Sequence, residues 1–195
     1  MTETQAIDWE SRYRAGNTGW ERPGINPAFL AWREAGELAP CRILIPGGGR
    51  SVEPVALAEA GFDVTVVDAA ASAVAAQRGR LERLHVAAQV VQSDLFTWNP
   101  DAPFDAIYDQ TCLCALPQAI LPDYAARLHR WLRQGGKLFV LFMQTGVAGG
   151  PPFHCDMDDM RLLFADGRWR WPDVLPAPVA HSPGRVEQPA ILQSL

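Results

Sequence analysis

The stretch RILIPGGGRSVEPVALAEAGFDVTVVDA, residues 42–69, decides the fold of this 195-residue chain. It holds a short apolar run, three consecutive glycines, an Ala-rich segment and a second apolar run that stops at Asp68. Short apolar runs bounded by glycine predict buried strands, and the Ala-rich segment between them predicts a helix. The stretch is therefore typical of a strand–helix–strand unit that holds a nucleotide-like cofactor at its glycine turn.

The alternation of strands and helices continues toward the C-terminus. The apolar pattern predicts further strands at 87–94, 103–109 and 137–143 and helices at 72–84 and 120–134. Gly135 and Gly136 are expected to end the second helix. Alternating strands and helices imply right-handed crossovers and a mostly parallel sheet. We therefore predict a Rossmann-like, doubly wound α/β fold that forms one domain over residues 1–195.

The N-terminal part carries two helix signals around an irregular loop. A short amphipathic helix is expected at 8–13, and glycine and proline interrupt any period after it. Asn26 before Pro27 is a typical helix start, so a second helix is predicted to run to about Ala35.

The C-terminal part is predicted to close the sheet. Asp156 is a candidate N-cap for a last short helix. Segments 168–175 and 185–195 are then expected to form an antiparallel hairpin. Pro172 and Pro189 should confine these strands to sheet edges or strand ends, because proline lacks the amide hydrogen that a ladder needs.

Composition and charge exclude several classes of protein. The formal net charge of −5 and the lack of a polybasic patch argue against nucleic-acid and membrane partners. No apolar stretch is long enough to cross a bilayer, and the acidic start is unlike a secretory signal. The four cysteines do not suggest a disulfide scaffold, so we expect a cytoplasmic protein. Cys112, Cys114, His154 and Cys155 match no standard zinc spacing, so no metal is predicted.

The glycine turn and the acid after it suggest how a cofactor is held. Gly47, Gly48 and Gly49 follow the first strand, where glycines let a backbone approach a ligand closely. Asp68 ends the next strand, just before Ala69, where a carboxylate suits the two hydroxyls of a ribose. Alternatively, the glycines form only a tight turn and Asp68 only caps the following helix.

The residues after the turn discriminate between cofactors. The dinucleotide-binding motif has a third glycine at the position where this chain has Val52. The next residue here is Glu53. A carboxylate there is unfavourable beside a diphosphate but tolerable beside S-adenosylmethionine, which carries a sulfonium and an ammonium. We therefore favour the methyl donor. A nicotinamide-dependent oxidoreductase and an S-adenosylmethionine-binding protein without turnover are the alternatives.

Two further acids follow predicted strands. Asp94, with Leu95 beside it, is placed to accept from an adenine amino group. Asp109 ends the next strand and is expected close to the sugar and amino-acid portion. Each of these acids alone could instead stabilise a loop as an Asx turn.

The chain resembles class I S-adenosylmethionine-dependent methyltransferases, and more narrowly the thiopurine S-methyltransferase superfamily with its thiol and halide methyltransferase relatives. The similar segments are DWESRYRAGNTGWERPGINPAFL, ILIPGGGRSVEPVALAEAGFDVTVVD, SDLF, FDAIYDQTCLCALP, LRQGGKLFVLF and GGPPFH. The resemblance implies a seven-stranded sheet with a C-terminal antiparallel hairpin. It also implies a helical lid segment, residues 1–36, over the cofactor.

The resemblance also implies roles for individual residues. Trp9 would pack on the cofactor, and Trp20 would line the acceptor pocket, although tryptophans are often simply core residues. The implied cofactor-binding residues are Trp9, Pro46, Gly47, Gly48, Gly49, Asp68, Ala69, Asp94, Leu95, Asp109 and Gln110. The acceptor pocket is expected to use Trp20, Cys112, Leu113 and Phe153, with His154 as a weaker candidate.

One departure from the family bears on the acceptor. Gln110 stands where some members have arginine, which makes an anionic thiopurine doubtful. Arg185 is a candidate replacement cation, or alternatively an exposed partner of Glu187. A thiol is a good nucleophile as thiolate, and no catalytic base or triad is evident, so no catalytic residue is predicted. We expect a monomer or small homo-oligomer that methylates a small molecule.

Overall fold

The computed structural model describes residues 7–182 and 184–195, and a mixed sheet organises them. Its main path runs in the order β3-β2-β1-β4-β5-β8-β6, and an eighth short strand, β7, pairs with β8. The strands are β1 Arg42–Pro46, β2 Asp63–Asp68, β3 Gln89–Gln92, β4 Phe104–Gln110, β5 Leu132–Gln144, β6 Trp169–Arg170, β7 Val179–Ser182 and β8 Arg185–Ser194. The first five are mutually parallel, and the last three add antiparallel pairings. The described residues thus confirm the doubly wound sheet and its antiparallel C-terminal end.

Helices cover both faces of this sheet. They are α1 Trp9–Arg14, α2 Pro27–Glu34, α3 Glu53–Glu59, α4 Ala71–Arg83, α5 Leu121–Trp131 and α6 Met157–Leu163. Side chains of α2, α3 and α4 pack on one face, and those of α5 and α6 pack on the other. Alternation along the strands supplies both cores: in β1, for example, Ile43 and Ile45 face the first group while Leu44 faces the second.

The predicted helix starts are confirmed. The Asn26 side chain accepts a hydrogen bond from the Ala28 amide at 2.9 Å, and Pro27 opens α2. The Asp156 side chain accepts from the amides of Asp158 and Asp159 at 2.9 and 3.2 Å. Both caps satisfy amides that have no partner inside their own helix.

The predicted end of the long helix before β5 is wrong. This helix, α5, ends at Trp131, and Gly135 and Gly136 lie inside β5. There the pairing with β4 shifts register, and Gly135 has a φ of 75°. A Cβ on Gly136 would lie 2.9 Å from the Arg133 carbonyl oxygen and 3.1 Å from that of Asp105. The glycine pair therefore permits a bulge pressed against β4, rather than a helix end.

The expectation for Pro189 also needs correction. Pro189 lies in the middle of β8, which pairs with β5 along nearly its whole length. On the other side of β8, β7 pairs up to Glu187 and β6 pairs only from Gln193. Pro189 is tolerated because it falls in the interval between those two short partners.

Among the described helices, none combines the length and the apolar character that a bilayer crossing requires. The sheet order reverses between β1 and β4, since the chain moves from β1 outward to β3 and then returns to the opposite side of β1. In such sheets, ligands bind beyond the carboxyl ends of the strands at this reversal. The fold therefore directs attention to the loops after β1 and β4.

Candidate functional site

A cavity of about 470 Å³ lies at the carboxyl edge of the sheet, next to the reversal of strand order. Its wall combines the lid segment, the glycine turn, the ends of the parallel strands and the segment after β4. Eleven of the residues predicted for the site line it: Trp9, Trp20, Gly47, Gly48, Gly49, Asp68, Ala69, Asp94, Leu95, Gln110 and Cys112. Most of the predicted site residues therefore lie on this wall. Residues 1–6 of the lid segment lie outside the described residues.

The glycine turn approaches its neighbours so closely that no side chain fits at any of its three positions. A Cβ on Gly47 would lie 2.7 Å from Cys112 Sγ, and one on Gly48 would lie 2.5 Å from Val66 Cγ1. Gly49 has a φ of 53°, and its Cβ would lie 2.6 Å from the Tyr13 hydroxyl. The turn thus presents bare backbone to the cavity, with the lid segment directly against it.

Asp68 ties the glycine turn to the end of β2. One of its carboxylate oxygens accepts from the Gly49 amide and the other from the Ala70 amide, both at 2.8 Å. Burial raises the pKa of Asp68, and these two hydrogen bonds oppose the shift. Each carboxylate oxygen keeps a further lone pair, so the side chain that braces the turn also has acceptor capacity on the cavity wall.

Asp94 follows β3 in an Asx turn. Its Oδ1 accepts a hydrogen bond from the Phe96 amide at 2.7 Å. An Asx turn was one of the two alternatives given for this residue from the sequence. Asp94 is exposed and lines the cavity beside Leu95, which is buried. The turn fixes one carboxylate oxygen and orients the second.

An aromatic cluster in the lid segment forms one side of the cavity. Trp20 makes edge-to-face contacts with Trp9 and Tyr13, with ring centroids 5.4 and 5.5 Å apart. All three residues, including both tryptophans predicted for the site, line the cavity.

Polar contacts hold this lid segment down. Glu10 accepts from the amide and hydroxyl of Ser72 in α4 at 2.8 and 2.7 Å. Glu21 forms a two-point ion pair with Arg50, which follows the glycine turn, at 2.6 and 2.9 Å. The lid segment is therefore tied to α4 and to the residue that follows the glycine turn.

Four predicted site residues do not belong to the cavity wall among the described residues: Pro46, Asp109, Leu113 and Phe153. Asp109 is fully buried, where it accepts from the Leu113 amide at 3.1 Å and from the Tyr124 hydroxyl at 2.7 Å. Burial raises the pKa of Asp109 to about 6. Its carboxylate therefore organises the connection from β4 to α5 instead of facing a ligand.

The other three are displaced for packing reasons. Leu113 is 1% exposed and belongs to the core, and Pro46 is the buried last residue of β1. The Phe153 ring packs against Gly150, and its amide donates to the Cys114 carbonyl at 2.7 Å. The GGPPF segment instead reaches the cavity through Pro151 and Pro152. His154 is also off the wall, and its Nδ1 accepts from the Thr145 amide at 3.1 Å.

A charged residue that the sequence analysis missed, Arg22, also lines the cavity. Its Nη1 donates to the Ala180 carbonyl at 2.8 Å and to Glu187 Oε2 at 3.4 Å. Glu187 is fully buried and also accepts from Asn26 Nδ2 at 2.7 Å. A carboxylate inside a strand segment needs a partner, and that signal could have revealed the pair.

The sequence suggested Arg185 as a replacement for the arginine that some similar proteins have at the position of Gln110. Among the described residues, Arg185 does not line the cavity. The alternative for it is wrong as well, because Glu187 pairs with Arg22 and lies 3.3 Å from His181 Nδ1.

The end of β4 carries a strained turn that was not anticipated. Thr111 has a φ of 62°, which is rare for a β-branched residue. Before it, the buried Tyr108 hydroxyl donates to Gln110 Oε1 at 2.7 Å. This bond holds the Gln110 side chain by its amide oxygen at the edge of the cavity. Backbone strain of this kind is concentrated at functional sites.

Acid–base chemistry is weakly represented on the wall. No histidine lines the cavity among the described residues. Burial raises the pKa of Cys112 and of Cys114 well above the ordinary thiol value, and that of Tyr13 above the ordinary phenol value. Within residues 7–182 and 184–195, no group of three or more His, Cys, Asp or Glu side chains is arranged to hold a metal ion.

Comparison with known proteins assigns this geometry to a family. The family model for thiopurine S-methyltransferase matches residues 4–183. The chain belongs to the thiopurine S-methyltransferase family. It is 31% identical over 167 residues to the Arabidopsis thaliana protein named "Probable thiol methyltransferase 2", covering 84% of this chain and 74% of that one. It is 27% identical to the thiopurine S-methyltransferase of Vibrio parahaemolyticus, covering 80% of each chain.

Solved structures agree in fold. A 1,6-didemethyltoxoflavin-N1-methyltransferase from Burkholderia thailandensis, bound to its substrate and S-adenosylhomocysteine, aligns with a TM-score of 0.73 at 20% identity. The alignment covers 94% of this chain and 84% of that one. The present chain is an S-adenosylmethionine-dependent methyltransferase with the class I fold, and its cofactor is S-adenosylmethionine rather than a nicotinamide dinucleotide.

The cavity of this methyltransferase suits that cofactor. The glycines at 47–49 let the turn pack tightly against Cys112, Val66 and Tyr13 while its backbone lines the cavity. The carboxylates of Glu53, Asp68 and Asp94 on the wall favour a ligand with a sulfonium and an ammonium over a diphosphate. The residues present thus fit the family's cofactor.

Proposed function

We propose that this methyltransferase methylates the sulfur of a small-molecule thiol, or a comparable soft nucleophile, through positioning and without a general base. The observation that carries the proposal is that no histidine lines the described part of the wall, while the two thiols beside the apolar segment after β4 hold their protons. The names of the relatives in Arabidopsis and Vibrio, which refer to thiols and thiopurines, support the same class of acceptor.

Several ionisable groups on the wall are already engaged or hold their protons. Asp68 accepts two backbone hydrogen bonds, and Glu53 accepts from the Asn26 amide at 2.9 Å. Cys112 and Cys114 stay protonated at neutral pH, because burial raises their pKa values. An amine or alcohol acceptor would need help in losing its proton. A thiol with an ordinary pKa of about 8.5 supplies thiolate by itself.

We assign the adenosine half of the cofactor to the acids after β2 and β3. Asp68 would accept from the ribose hydroxyls, and Asp94 would accept from the adenine amino group beside Leu95. Trp9 would pack on the cofactor from the lid segment. Their common position on one cavity wall, in the order of the strands, supports these roles.

We assign the acceptor to the part of the wall formed after β4 and by Trp20. This part is mostly apolar, with the residues Cys112, Cys114, Ala115, Leu116, Pro117, Ala119 and Ile120. An apolar surface favours a soft, weakly hydrated nucleophile, and the lid segment above it excludes water. When bound, S-adenosylmethionine supplies an electrophilic methyl group for in-line displacement. The protein's contribution is then to align the two reactants.

A pH–rate series with thiols of different pKa tests the proposal. If the enzyme uses thiolate formed in solution, kcat/KM rises with pH up to the pKa of the acceptor, and the inflection shifts as that pKa changes. Seleno compounds and halides, as further soft nucleophiles, provide a comparison. An inflection that stays at one pH for every thiol would reveal an enzyme base and contradict the proposal. So would methylation confined to amines or alcohols.

A further inference from the structure

The positive charges on the cavity wall are paired within the protein. Arg22 and Arg50 are the only lysine or arginine residues among the described residues of the wall. Arg50 forms a two-point ion pair with Glu21 at 2.6 and 2.9 Å, and Arg22 Nη1 lies 3.4 Å from Oε2 of the fully buried Glu187. The described wall therefore offers no cation that lacks a carboxylate partner.

Negative charge is in excess on the same wall. Among the described residues, Glu53, Asp68 and Asp94 have backbone amides as hydrogen-bond partners instead of cations. Burial raises the pKa of Glu53 and that of Asp68, yet a proton on either side chain would not free an arginine. Arg127, a cation nearby, packs on the Phe96 ring and is not one of the wall residues. With or without those protons, the described wall has no surplus positive charge.

The reaction itself balances only one negative charge on the acceptor. The thiol gives its proton to solvent. The thiolate sulfur then bonds to the methyl carbon while the bond from that carbon to the sulfonium sulfur breaks, so one negative and one positive charge cancel. A second negative charge on the acceptor, such as a carboxylate, finds no partner in the sulfonium or on the described wall. Like charges in such a position repel and cost binding energy.

The acceptor part of the wall also has few polar groups for a large polar acceptor. Apart from Gln110, Thr111 and the two thiols, the wall residues after β4 are apolar. The Gln110 side chain accepts from Tyr108, and the Thr111 hydroxyl donates to the Gln110 carbonyl, both at 2.7 Å. Ligand cavities usually measure about 300–1,000 Å³. A cavity of about 470 Å³ that also holds the cofactor therefore favours a small acceptor.

We propose that the acceptor is a small thiol whose substituent is apolar and carries no negative charge. The paired arginines and the excess of carboxylates on the wall then exclude thiols that bear a carboxylate, a phosphate or a peptide. This inference rests on the proposed function, because it specifies the substrate class of the same site.

Matched thiols test the sign of this preference. Methyl 3-mercaptopropionate and 3-mercaptopropionate share one chain and differ in a single negative charge. After correction for the fraction of thiolate, kcat/KM for the ester should exceed that for the acid at least about tenfold. 2-Aminoethanethiol, which carries a positive charge, should fall between them. Equal kcat/KM for the acid and the ester overturns the proposal. If 2-aminoethanethiol is as poor as the acid, the wall rejects any charge, and the role given to its carboxylates is wrong.

A new cation on the wall should relieve the exclusion of the acid. Ala119 is an exposed wall residue after β4, so Ala119→Lys should raise kcat/KM for the acid about twofold to fivefold relative to the ester. Gln118→Lys is the matched control, because Gln118 is also exposed and is not one of the wall residues. It should leave the ratio nearly unchanged. Equal effects of the two variants would contradict a preference set by the wall.

Binding of the methylated products separates this inference from the proposed function. The enzyme loaded with S-adenosylhomocysteine is titrated calorimetrically with methyl 3-(methylthio)propanoate and with 3-(methylthio)propanoate. The neutral thioether should bind about tenfold more tightly, and no turnover is needed to observe it. If it does so while no thiol is methylated, thiol methylation is wrong and the charge preference stands. If the two thioethers bind equally, the charge preference is wrong even where thiols are substrates.

Discussion

The contact between Gly49 and Tyr13 predicts that alanine at position 49 damages cofactor binding, whereas alanine at another left-handed glycine damages stability alone. Gly49 has a φ of 53°, and its Cβ would lie 2.6 Å from the Tyr13 hydroxyl. Gly61 has a φ of 87°, and its Cβ would meet nothing within 4 Å. The two positions therefore share backbone strain and differ in the clash.

The backbone strain and the clash with Tyr13 set the expected losses of stability and of affinity. Left-handed backbone costs a residue with a Cβ about 1–2 kcal/mol, so both variants should lose about that much unfolding free energy. In Gly49→Ala, Tyr13 must also move away and give up its edge-to-face contact with Trp20, which is worth about 0.5–1.5 kcal/mol. Because the lid segment covers the cofactor side, this loss should appear as about a twofold to tenfold weaker affinity for S-adenosylhomocysteine.

Urea denaturation and calorimetric titration of both variants measure the two effects. Gly61→Ala should keep the wild-type affinity for S-adenosylhomocysteine despite its lower stability. If Gly49→Ala and Gly61→Ala bind the ligand equally well, the lid segment does not act through the glycine turn and the argument fails.

Two other substitutions test the acids near the strand ends. Asp68→Ala should weaken S-adenosylhomocysteine by about 1–3 kcal/mol in calorimetry, and an unchanged dissociation constant would contradict the ribose assignment. Asp109→Asn should remove a pH-dependent loss of stability. The pKa of Asp109 is raised from 3.8 to about 6 by burial, so the unfolded state loses its proton first and the wild type loses stability as pH rises through that window. In urea denaturation, the stability of the wild type relative to Asp109→Asn should therefore fall between about pH 4 and 6 and then level off; a constant difference would contradict the ionisation of a buried Asp109.

Local sequence patterns predicted most of the alternating strands and helices correctly. The strands and helices around the glycine turn follow from apolar runs, alanine-rich segments and caps such as Asn26 and Asp156. These signals act within a few residues, so they do not depend on the rest of the chain. The parallel topology then brought Asp68, Asp94 and the glycines to one edge, which is why most of the predicted site residues lie on the cavity wall.

The failures share a long-range cause. Gly135 and Gly136 resemble a helix end, but the approach of Asp105 from the neighbouring strand makes them a bulge. Asp109 ends a strand like the other acids, yet Tyr124 from the following helix draws its carboxylate into the core. Both outcomes depend on a partner distant in sequence from the residue itself.

Arg22 illustrates the same limit at the site. Its position on the wall depends on Glu187 and Ala180, more than 150 residues further along the chain. An arginine in a polar loop carries no local sign of such a contact. The resemblance to the family directed attention to Gln110 and Arg185 instead, because it compares positions and not the partners that a fold supplies.

A crystal structure with S-adenosylhomocysteine tests the central claim most directly. We expect the ligand in the cavity at the carboxyl edge, with its ribose hydroxyls on Asp68 and its adenine beside Asp94. Density for the ligand at another place, or in the cavity with its ends reversed, would contradict the account.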